Sequence, residues 1–229
     1  VMNLPYTGSG VMGSSLCMDK VRSKQVWEAV GVPTPPFSVY VRGGKMEKLP
    51  KDLHFPVMVK PSREGSSFGA SRVGVESDLI AAIENSARND DVILIEKWVN
   101  AAEYTLGIVA GDPLPIIKLE TPREFYDYEA KYTHGRAEHL VPAPIHPDAY
   151  AAAQNYAVRA HNVLGCRGVS RADLMYDDSN GEPGELYLLE VNTQPGMTPL
   201  SLVPEQAAHL GIEFGELVRW MVENASCDG

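Results

Sequence analysis

An apolar strand near the end of the chain leads directly into polar side chains, and this stretch constrains the fold more than any other. The strand runs from Leu186 to Asn192, and a Pro-Gly turn follows soon after and stops it. Because side chains alternate along a strand, Glu190 and Asn192 are predicted to point to the same side near its end. Carboxylate and amide oxygens suit a hard cation such as magnesium, which is usually shared with substrate phosphates rather than enclosed by protein.

A third oxygen ligand is expected from the preceding apolar strand. That strand runs from Ser170 to Tyr176 and carries Asp173, and residues 177–184 have the composition of a hairpin loop. An antiparallel hairpin with its carboxylates on one face would bring Asp173 beside Glu190. Two charged residues at solvated strand ends are the simpler interpretation, but the apolar residues on both sides favour a metal site.

Composition limits the class of protein. A chain of 229 residues with 44% hydrophobic residues suits one large domain or two small ones. The net charge of −10 argues against general nucleic-acid binding, since a phosphate backbone requires a basic face. Cys17, Cys166 and Cys227 are few and far apart, which favours a reducing compartment and no structural zinc. No apolar run approaches the ~20 residues of a membrane span, so we expect a cytoplasmic protein without a membrane partner.

Residues 8–13 match Gly-x-Gly-x-x-Gly, a motif typical of dinucleotide sites. That motif requires a buried strand before it, a helix that opens inside it, and an acidic residue about 20 residues later at the end of a second strand. Only residues 3–7 precede it here, and Glu28 lies within a helical pattern. We therefore reject a dinucleotide site and predict a compact hinge that leads into a helix from about Met18 to Val30.

A loop of small residues joins two predicted strands, Phe55 to Lys60 and Ser71 to Val75. Such loops expose backbone N–H groups and hydroxyls that can hold phosphate oxygens. It is not a Walker A loop, because no Gly-Lys-Ser/Thr follows and no helix begins there. A plain flexible hairpin is the simpler interpretation, but Lys60 at the strand end favours a flap that covers a nucleotide.

The aliphatic run from Asp91 to Ile95 predicts a buried strand. The connector that follows, Glu96 to Val99, offers backbone groups that can hydrogen-bond an adenine edge between apolar walls. Ordinary core packing of Trp98 is the alternative, and the two roles are compatible.

A long polar segment from Glu120 to Pro144 contains several aromatic residues. A loop of this length in a compact domain is usually functional or disordered, and its aromatics argue against disorder. We predict a lid that excludes water from a reactive intermediate.

Two longer helices are also predicted. One runs from Ser77 to Asn89, with Ser77 as its N-cap, and the other runs from Pro147 to Leu164. Two short helices are predicted at the end of the chain.

Residues on both strands of the predicted hairpin carry a family resemblance: Arg171, Asp173, Glu190, Asn192, Thr193, Pro195, Gly196, Met197 and Thr198. In this order they resemble the metal-binding end of ATP-grasp ligases, and among these the D-alanine–D-alanine ligases. The similarity extends over nearly the whole chain. It implies an α/β (α+β) ATP-grasp fold with a small subdomain, residues 1–94, a larger one, residues 95–229, and the nucleotide between them.

The resemblance implies ATP and two magnesium ions, or manganese, with Asp173, Glu190 and Asn192 as metal ligands. It places the nucleotide against Lys20, Lys60, Ser67, Glu96, Lys97, Trp98, Val99, Glu103, Lys131, Met175 and Leu189. From the sequence alone Lys20 is better interpreted as a solvated charge, and the resemblance makes it a phosphate ligand.

The implied reaction joins two D-alanines for peptidoglycan precursor synthesis, through an acyl phosphate that the second amine attacks. The residues implied for catalysis are Ser66, Lys131, Tyr132, Arg171 and Gly196, and those for the second substrate are Tyr132, Arg171, Ser201 and Leu202. Arg171 and the Gly196 N–H suit the oxyanion of the tetrahedral intermediate. Tyr132, held by Glu103 and Ser66, would need nearby cations to act as a base, because an ordinary tyrosine pKa is ~10.

The sequence departs from the family in two places. The resemblance implies an N-terminal domain whose glutamate holds the first D-alanine, and no stretch of the printed sequence matches it. Val169 and Ser170 stand where many relatives have an aromatic residue and a glycine, which bears on local packing. Two alternatives stay open: another carboxylate–amine ligase, and a non-catalytic nucleotide-binding fragment. A homodimer is also expected from the resemblance.

Overall fold

Two antiparallel sheets and the helices on them form the part of the chain that the computed structural model describes, residues 3–44, 49–51, 53–120 and 138–227. The first sheet contains β1 (Phe37–Val41), β2 (Val57–Pro61), β3 (Ser71–Val73) and β4 (Val92–Lys97), in the order β1-β4-β2-β3. The second contains β5 (Ala102–Val109), β6 (Asp112–Pro113), β7 (Ile117–Glu120), β8 (Glu138–Leu140), β9 (Val169–Asp177) and β10 (Glu185–Asn192). Its order is β10-β9-β5-β7-β8, and β6 pairs with β5.

The helices are α1 (Val11–Met18), α2 (Lys20–Ala29), α3 (Leu79–Ser86), α4 (Pro147–Val163), α5 (Leu202–His209) and α6 (Phe214–Glu223). None of these described helices combines the length and apolarity that a membrane crossing requires. The two final helices and the start of α4 at Pro147 agree with the sequence-based predictions.

The first sheet has its own core, in which β4 is the central buried strand. Ile93 and Ile95 pack with Leu79 and Ile83 of α3, and Leu94 is also fully buried. Because both faces of β4 are covered, its sequence is continuously aliphatic, and the predicted buried strand is confirmed. The predicted subdomain boundary near residue 94 stays a prediction, and β4 itself continues through this point to Lys97.

The second core lies between the six-stranded sheet and α4. Small residues at helical spacing on α4 are buried against it: Ala149, Ala153, Ala157 and Ala160. Trp27 of α2 joins this core with no exposed surface. Ser170 is buried, and its hydroxyl lies 2.7 Å from Nδ1 of His161. Burial lowers the pKa of His161, so a serine at this position forms a buried contact with a neutral imidazole.

The predicted helix from about Met18 to Val30 is confirmed as α2, which begins at Lys20 because Asp19 caps it, and a second helix that was not predicted, α1, precedes it. The Asp19 backbone is extended, and its carboxylate accepts a hydrogen bond from the Arg22 amide at 3.1 Å, which caps α2. The hinge predicted at residues 8–13 is wrong in its second half, because α1 begins at Val11. Gly13 allows this helix to approach its neighbour, because a Cβ there would lie 2.8 Å from the Gly165 carbonyl oxygen.

Two further predictions need correction. Ser77 does not cap α3, since it lies in a 3-10 turn and its hydroxyl donates to Asp78. The segment from Glu120 to Pro144 is not an unbroken loop, because Glu138–Leu140 pairs with β7 in the six-stranded sheet. Among the described residues no strand precedes α1, and an isolated bridge joins Tyr6 to Ser226.

A buried glutamine completes the hydrogen bonding of β5. β7 pairs with β5 up to Thr105 and β6 pairs from Ile108, so Gly107 lies between the two ladders. The Gln206 side chain of α5 accepts from the Gly107 N–H at 2.8 Å and donates to the Thr105 carbonyl at 2.9 Å. One side chain thereby satisfies two buried backbone groups and fastens α5 to the sheet.

We predict that Gln206→Met destabilises the chain by about 2–4 kcal/mol, because it leaves two buried backbone groups unpaired. The exposed Gln25 of α2 provides a control, and Gln25→Met should change the free energy of unfolding by less than ~0.5 kcal/mol. Urea unfolding of both variants measures the difference. Equal losses at the two positions would contradict the role assigned to Gln206.

Candidate active site

A cleft of about 540 Å³ opens between the two sheets and receives side chains from both. Most of the predicted nucleotide and metal residues line it: Lys20, Lys60, Ser66, Ser67, Glu96, Lys97, Trp98, Val99, Glu103, Asp173, Met175, Leu189 and Glu190. Sequence reasoning did not single out Lys118, which also lines the cleft and donates to Glu120 at 2.7 Å. Lys131 and Tyr132 lie outside the described residues, as do the predicted contacts of Tyr132 with Glu103 and Ser66.

The β9–β10 hairpin places Glu190 directly opposite Asp173 in the antiparallel register, as predicted. The register shifts between Leu188 and Glu190, so that Leu189 is an extra residue in β10. This β-bulge changes the direction of the side chains that follow it, so the consecutive residues Leu189 and Glu190 both line the cleft. A regular strand would have turned one of them to the opposite face.

Asp173 is held by four hydrogen bonds from three side chains. Arg171 donates from Nε and Nη2 at 2.8 and 2.7 Å, and Thr105 donates from its hydroxyl at 2.7 Å. Asn192 donates from Nδ2 at 2.9 Å. Burial alone would lower the pKa of Arg171, but the Asp173 carboxylate outweighs it and raises that pKa. These bonds fix the orientation of an almost fully buried carboxylate.

Glu190 is more exposed and faces the first turn of α2. The Lys20 ammonium lies 3.5 Å from Glu190 Oε2 and donates to the Glu64 carbonyl at 2.6 Å. The side chain of Lys20 is only 12% exposed, so the interpretation of Lys20 as a solvated charge is wrong. The break between α1 and α2 is what brings this lysine to the hairpin.

Two carboxylates and one amide form the candidate metal centre. Asn192 donates from Nδ2 to both Asp173 and, at 3.4 Å, Glu190, so the three side chains share one face of the hairpin. Within the described ranges, no cluster of three or more His, Cys, Asp or Glu side chains is placed to hold a metal. The oxygen donors that are present fit a hard cation whose remaining ligands come from phosphates and water.

A buried cluster of three charges, which we call the Glu96 clamp, consists of Lys24, Lys60 and Glu96. The Lys24 ammonium lies 2.8 Å from Glu96 Oε2, and the Lys60 ammonium lies 2.5 Å from Oε1. Burial by itself would raise the pKa of Glu96, but the two ammonium groups outweigh it and lower that pKa to about 2. The clamp therefore keeps the carboxylate ionised and fixes Lys60 at the edge of the cleft.

Lys24 also connects the first sheet to the hairpin. Its ammonium donates to the Thr34 hydroxyl, which in turn donates to the Leu188 carbonyl at 2.8 Å, next to the bulge. Sequence reasoning assigned no role to Lys24, although it lies four residues after Lys20. Residues four positions apart share one face of a helix, so the spacing from Lys20 was the sequence signal that could have pointed to Lys24.

The loop and the connector that were predicted to contact the nucleotide both meet the cleft, but part of the connector's backbone is already hydrogen-bonded. Ser66 and Ser67 have φ angles of 51° and 60°, so the loop turns through two left-handed residues where they meet the cleft. The Lys97 and Trp98 amides donate to the Pro36 and Pro56 carbonyls at 2.9 and 3.2 Å. These two N–H groups are therefore engaged within the protein, and the predicted contact of the connector with an adenine edge stays a prediction.

Two of the residues implied for the second substrate, Ser201 and Leu202, lie at the start of α5, outside the cleft lining. Ser201 precedes the helix, and its hydroxyl accepts from the Thr198 amide at 3.0 Å. Leu202 is the first helical residue. A Cβ on Gly196 would lie 3.0 Å from the Ser201 hydroxyl, so a glycine lets the two segments approach closely.

The fold and the cleft define the class of protein as ATP-grasp. The chain superposes on the "D-alanine--D-Alanine Ligase from Bacillus anthracis complexed with ATP" with a TM-score of 0.82, at 29% identity, covering 96% of this chain and 69% of that chain. A second structure of the Bacillus anthracis ligase gives a TM-score of 0.80 at 32% identity and covers 96% and 70% of the two chains.

Sequence comparison identifies the family. The family model described as "D-ala D-ala ligase C-terminus" matches residues 26–223. The D-alanine–D-alanine ligase of Agrobacterium fabrum is 46% identical over 98% of this chain and 73% of its own length. That of Syntrophotalea carbinolica is 45% identical over 98% and 71%. The chain therefore belongs to the D-alanine–D-alanine ligase family, and the predicted ATP-grasp fold is confirmed.

We predict that Lys24→Met lowers the free energy of unfolding by about 3 kcal/mol, because it removes one of two cations from a buried carboxylate. Arg42 forms the control, since its ion pair with Asp91 is more than half exposed on both sides. Arg42→Met should cost less than ~1 kcal/mol. Denaturant unfolding at neutral pH compares the two, and similar losses would argue against a special role of the clamp.

The clamp also predicts a pH dependence of stability. The pKa of Glu96 lies near 2 in the folded chain, below its ordinary value of 4.5. The stabilisation is therefore complete above pH 4.5 and is lost as the pH falls toward 2. In Glu96→Gln this part of the stability profile should be flatter than in the parent, as measured by urea unfolding at successive pH values. An identical acid profile in both proteins would contradict the assignment.

Proposed function

We propose that the cleft binds ATP together with magnesium, with the adenine against the connector from Glu96 to Val99 and the phosphates near the β9–β10 hairpin. The observation that carries the proposal is the pair Asp173 and Glu190, held opposite each other on one side of the cleft. On the other side Lys60 is fixed by the clamp, and Lys20 reaches across from α2. Carboxylates facing lysines across a cleft suit a metal-bound polyphosphate.

The activity of the chain is the ATP-dependent ligation of two D-alanines to D-alanyl-D-alanine for peptidoglycan precursor synthesis. The carboxylate of the first D-alanine attacks the γ-phosphorus, and ADP leaves. The amine of the second D-alanine then attacks the carbonyl carbon of the acyl phosphate, and phosphate leaves. Both steps place negative charge in the cleft, so its cations carry much of the catalysis.

Asp173, Glu190 and Asn192 would hold the metal, which when bound neutralises charge on the phosphates. Lys20 and Lys60 add positive charge to the phosphate oxygens. Both lysines are held at the cleft before the nucleotide arrives, Lys20 by the Glu64 carbonyl and Lys60 by the Glu96 carboxylate. Such preorganised cations stabilise the transferring group without a reorganisation cost at the moment of reaction.

Arg171 is proposed to stabilise the oxyanion that forms when the second amine attacks, together with the Gly196 N–H. Its guanidinium is held by Asp173 at the hairpin, which supports a fixed position for the charge. Ser201 and the Leu202 amide, at the beginning of α5, are proposed to receive the carboxylate of the second D-alanine. The roles of Ser66, Lys131 and Tyr132, the homodimer and the cytoplasmic location stay predictions from the resemblance.

We predict that Glu190→Gln weakens magnesium-dependent binding of a non-hydrolysable ATP analogue by at least ~10-fold, because it removes one charge from the metal site. Glu185 lies on the same strand and is exposed, so Glu185→Gln is the matched control and should bind as the parent does. Titration calorimetry with and without magnesium measures the effect. Magnesium dependence that is the same in parent and variant would disprove the metal assignment.

The reaction class is tested separately by ADP release with different amino acids. D-Alanine should support ADP release and dipeptide formation together, since the second amine consumes the acyl phosphate. Release with another amino acid in preference to D-alanine would instead identify a different carboxylate–amine ligase.

A further inference from the structure

Two cysteine thiols meet at a place that the ligation reaction does not use. Cys17 lies in the last turn of α1, and Cys166 lies in the turn between α4 and β9. Their sulfur atoms are 3.4 Å apart, although the residues are separated by 149 positions in the sequence. Both thiols are free in this structure.

The surrounding backbone holds the two segments together. The Arg167 amide donates to the Ser9 hydroxyl at 3.2 Å, and Gly13 packs on the Gly165 carbonyl so closely that a Cβ would meet it at 2.8 Å. A disulfide bond is about 2.05 Å long, so the two sulfurs need to approach by less than ~1.5 Å. Rotation about the Cα–Cβ bonds of the two cysteines moves their sulfur atoms by distances of this order.

The two thiols differ in access and in acidity. Cys17 is buried, whereas Cys166 is partly exposed and lines a second cavity of about 420 Å³. The hydrogen bond from the Cys17 thiol lowers the pKa of Cys166, and the same contact together with burial raises the pKa of Cys17. Because the thiolate is the reactive form, Cys166 is the attacking residue and Cys17 the resolving one.

We propose that Cys17 and Cys166 form a reversible disulfide when the chain meets a peroxide. The Cys166 thiolate attacks one peroxide oxygen, the O–O bond breaks, and hydroxide leaves, which produces a sulfenic acid. The Cys17 sulfur attacks the Cys166 sulfur, the S–O bond breaks, and a second hydroxide leaves. The two thiols lose two electrons and two protons, and the peroxide is reduced to two waters.

The cross-link acts on the segment that carries Lys20. α1 ends at Met18, and the next residue, Asp19, caps α2 and accepts from the Ser62 hydroxyl at 2.7 Å. A disulfide at Cys17 therefore restrains the chain directly before the lysine that faces Glu190. It also closes a long loop, which should raise the melting temperature of the oxidised chain.

The test is hydrogen peroxide treatment of the unmodified chain, followed by alkylation, intact mass measurement and peptide mapping. We expect one alkylated thiol in place of three, a mass lower by two hydrogens before alkylation, and a peptide that joins Cys17 to Cys166. Dithiothreitol should restore three thiols. Retention of three thiols, oxidation of Cys166 without a cross-link, or a bond that involves Cys227 would each overturn the proposal.

Variants separate the two steps. In Cys17→Ser the Cys166 sulfenic acid has no resolving thiol, so a dimedone adduct should appear at Cys166 and no cross-link should form. Cys227→Ser is the control, and it should form the cross-link and gain melting temperature as the parent does. Because the mapping on the unmodified chain decides the proposal by itself, a variant that fails to fold leaves the test intact.

Discussion

The Glu96 carboxylate between Lys24 and Lys60 is the contact on which the rest of the structure depends. Three buried charges are costly to remove from water, and they persist because each has a partner of opposite sign within about 3 Å. The cluster joins α2 to two strands of the first sheet. Through Thr34 it also reaches the Leu188 carbonyl of the second sheet. One ion cluster thus connects the two walls of the cleft.

The sequence was sufficient to predict the β9–β10 hairpin because its geometry follows from residues close together in the chain. Alternation along β10 put Glu190 and Asn192 on one side, and a short polar loop required the antiparallel pairing that brought Asp173 opposite. The continuous aliphatic residues of β4 predicted a buried strand for the same reason. The bulge at Leu189 was not predictable, because it depends on how β10 is held by its neighbours, and its sequence reads as a regular apolar strand.

The beginning of the chain was less well predicted, for a related reason. Glycine spacing suggested a hinge before a single helix, but a further helix, α1, begins within that hinge, and Asp19 separates it from the predicted helix by capping α2. The same break places Lys20 in a first turn that faces Glu190 and leaves Lys24 one turn further on, in the core. Sequence pattern indicates that a lysine is on a helix, whereas burial of its charge depends on a partner from a distant strand.

The two carboxylates of the candidate metal centre are held in different ways, and this difference suits different tasks. Asp173 receives four hydrogen bonds and is almost fully buried, so its position is set before any ligand binds. Glu190 has a longer ion pair with Lys20 and 29% of its side chain exposed. A rigid group can define where a cation sits, while a more exposed group can exchange a lysine for that cation. Because Lys20 would be released toward the phosphates by this exchange, metal and nucleotide binding at the hairpin should assist each other.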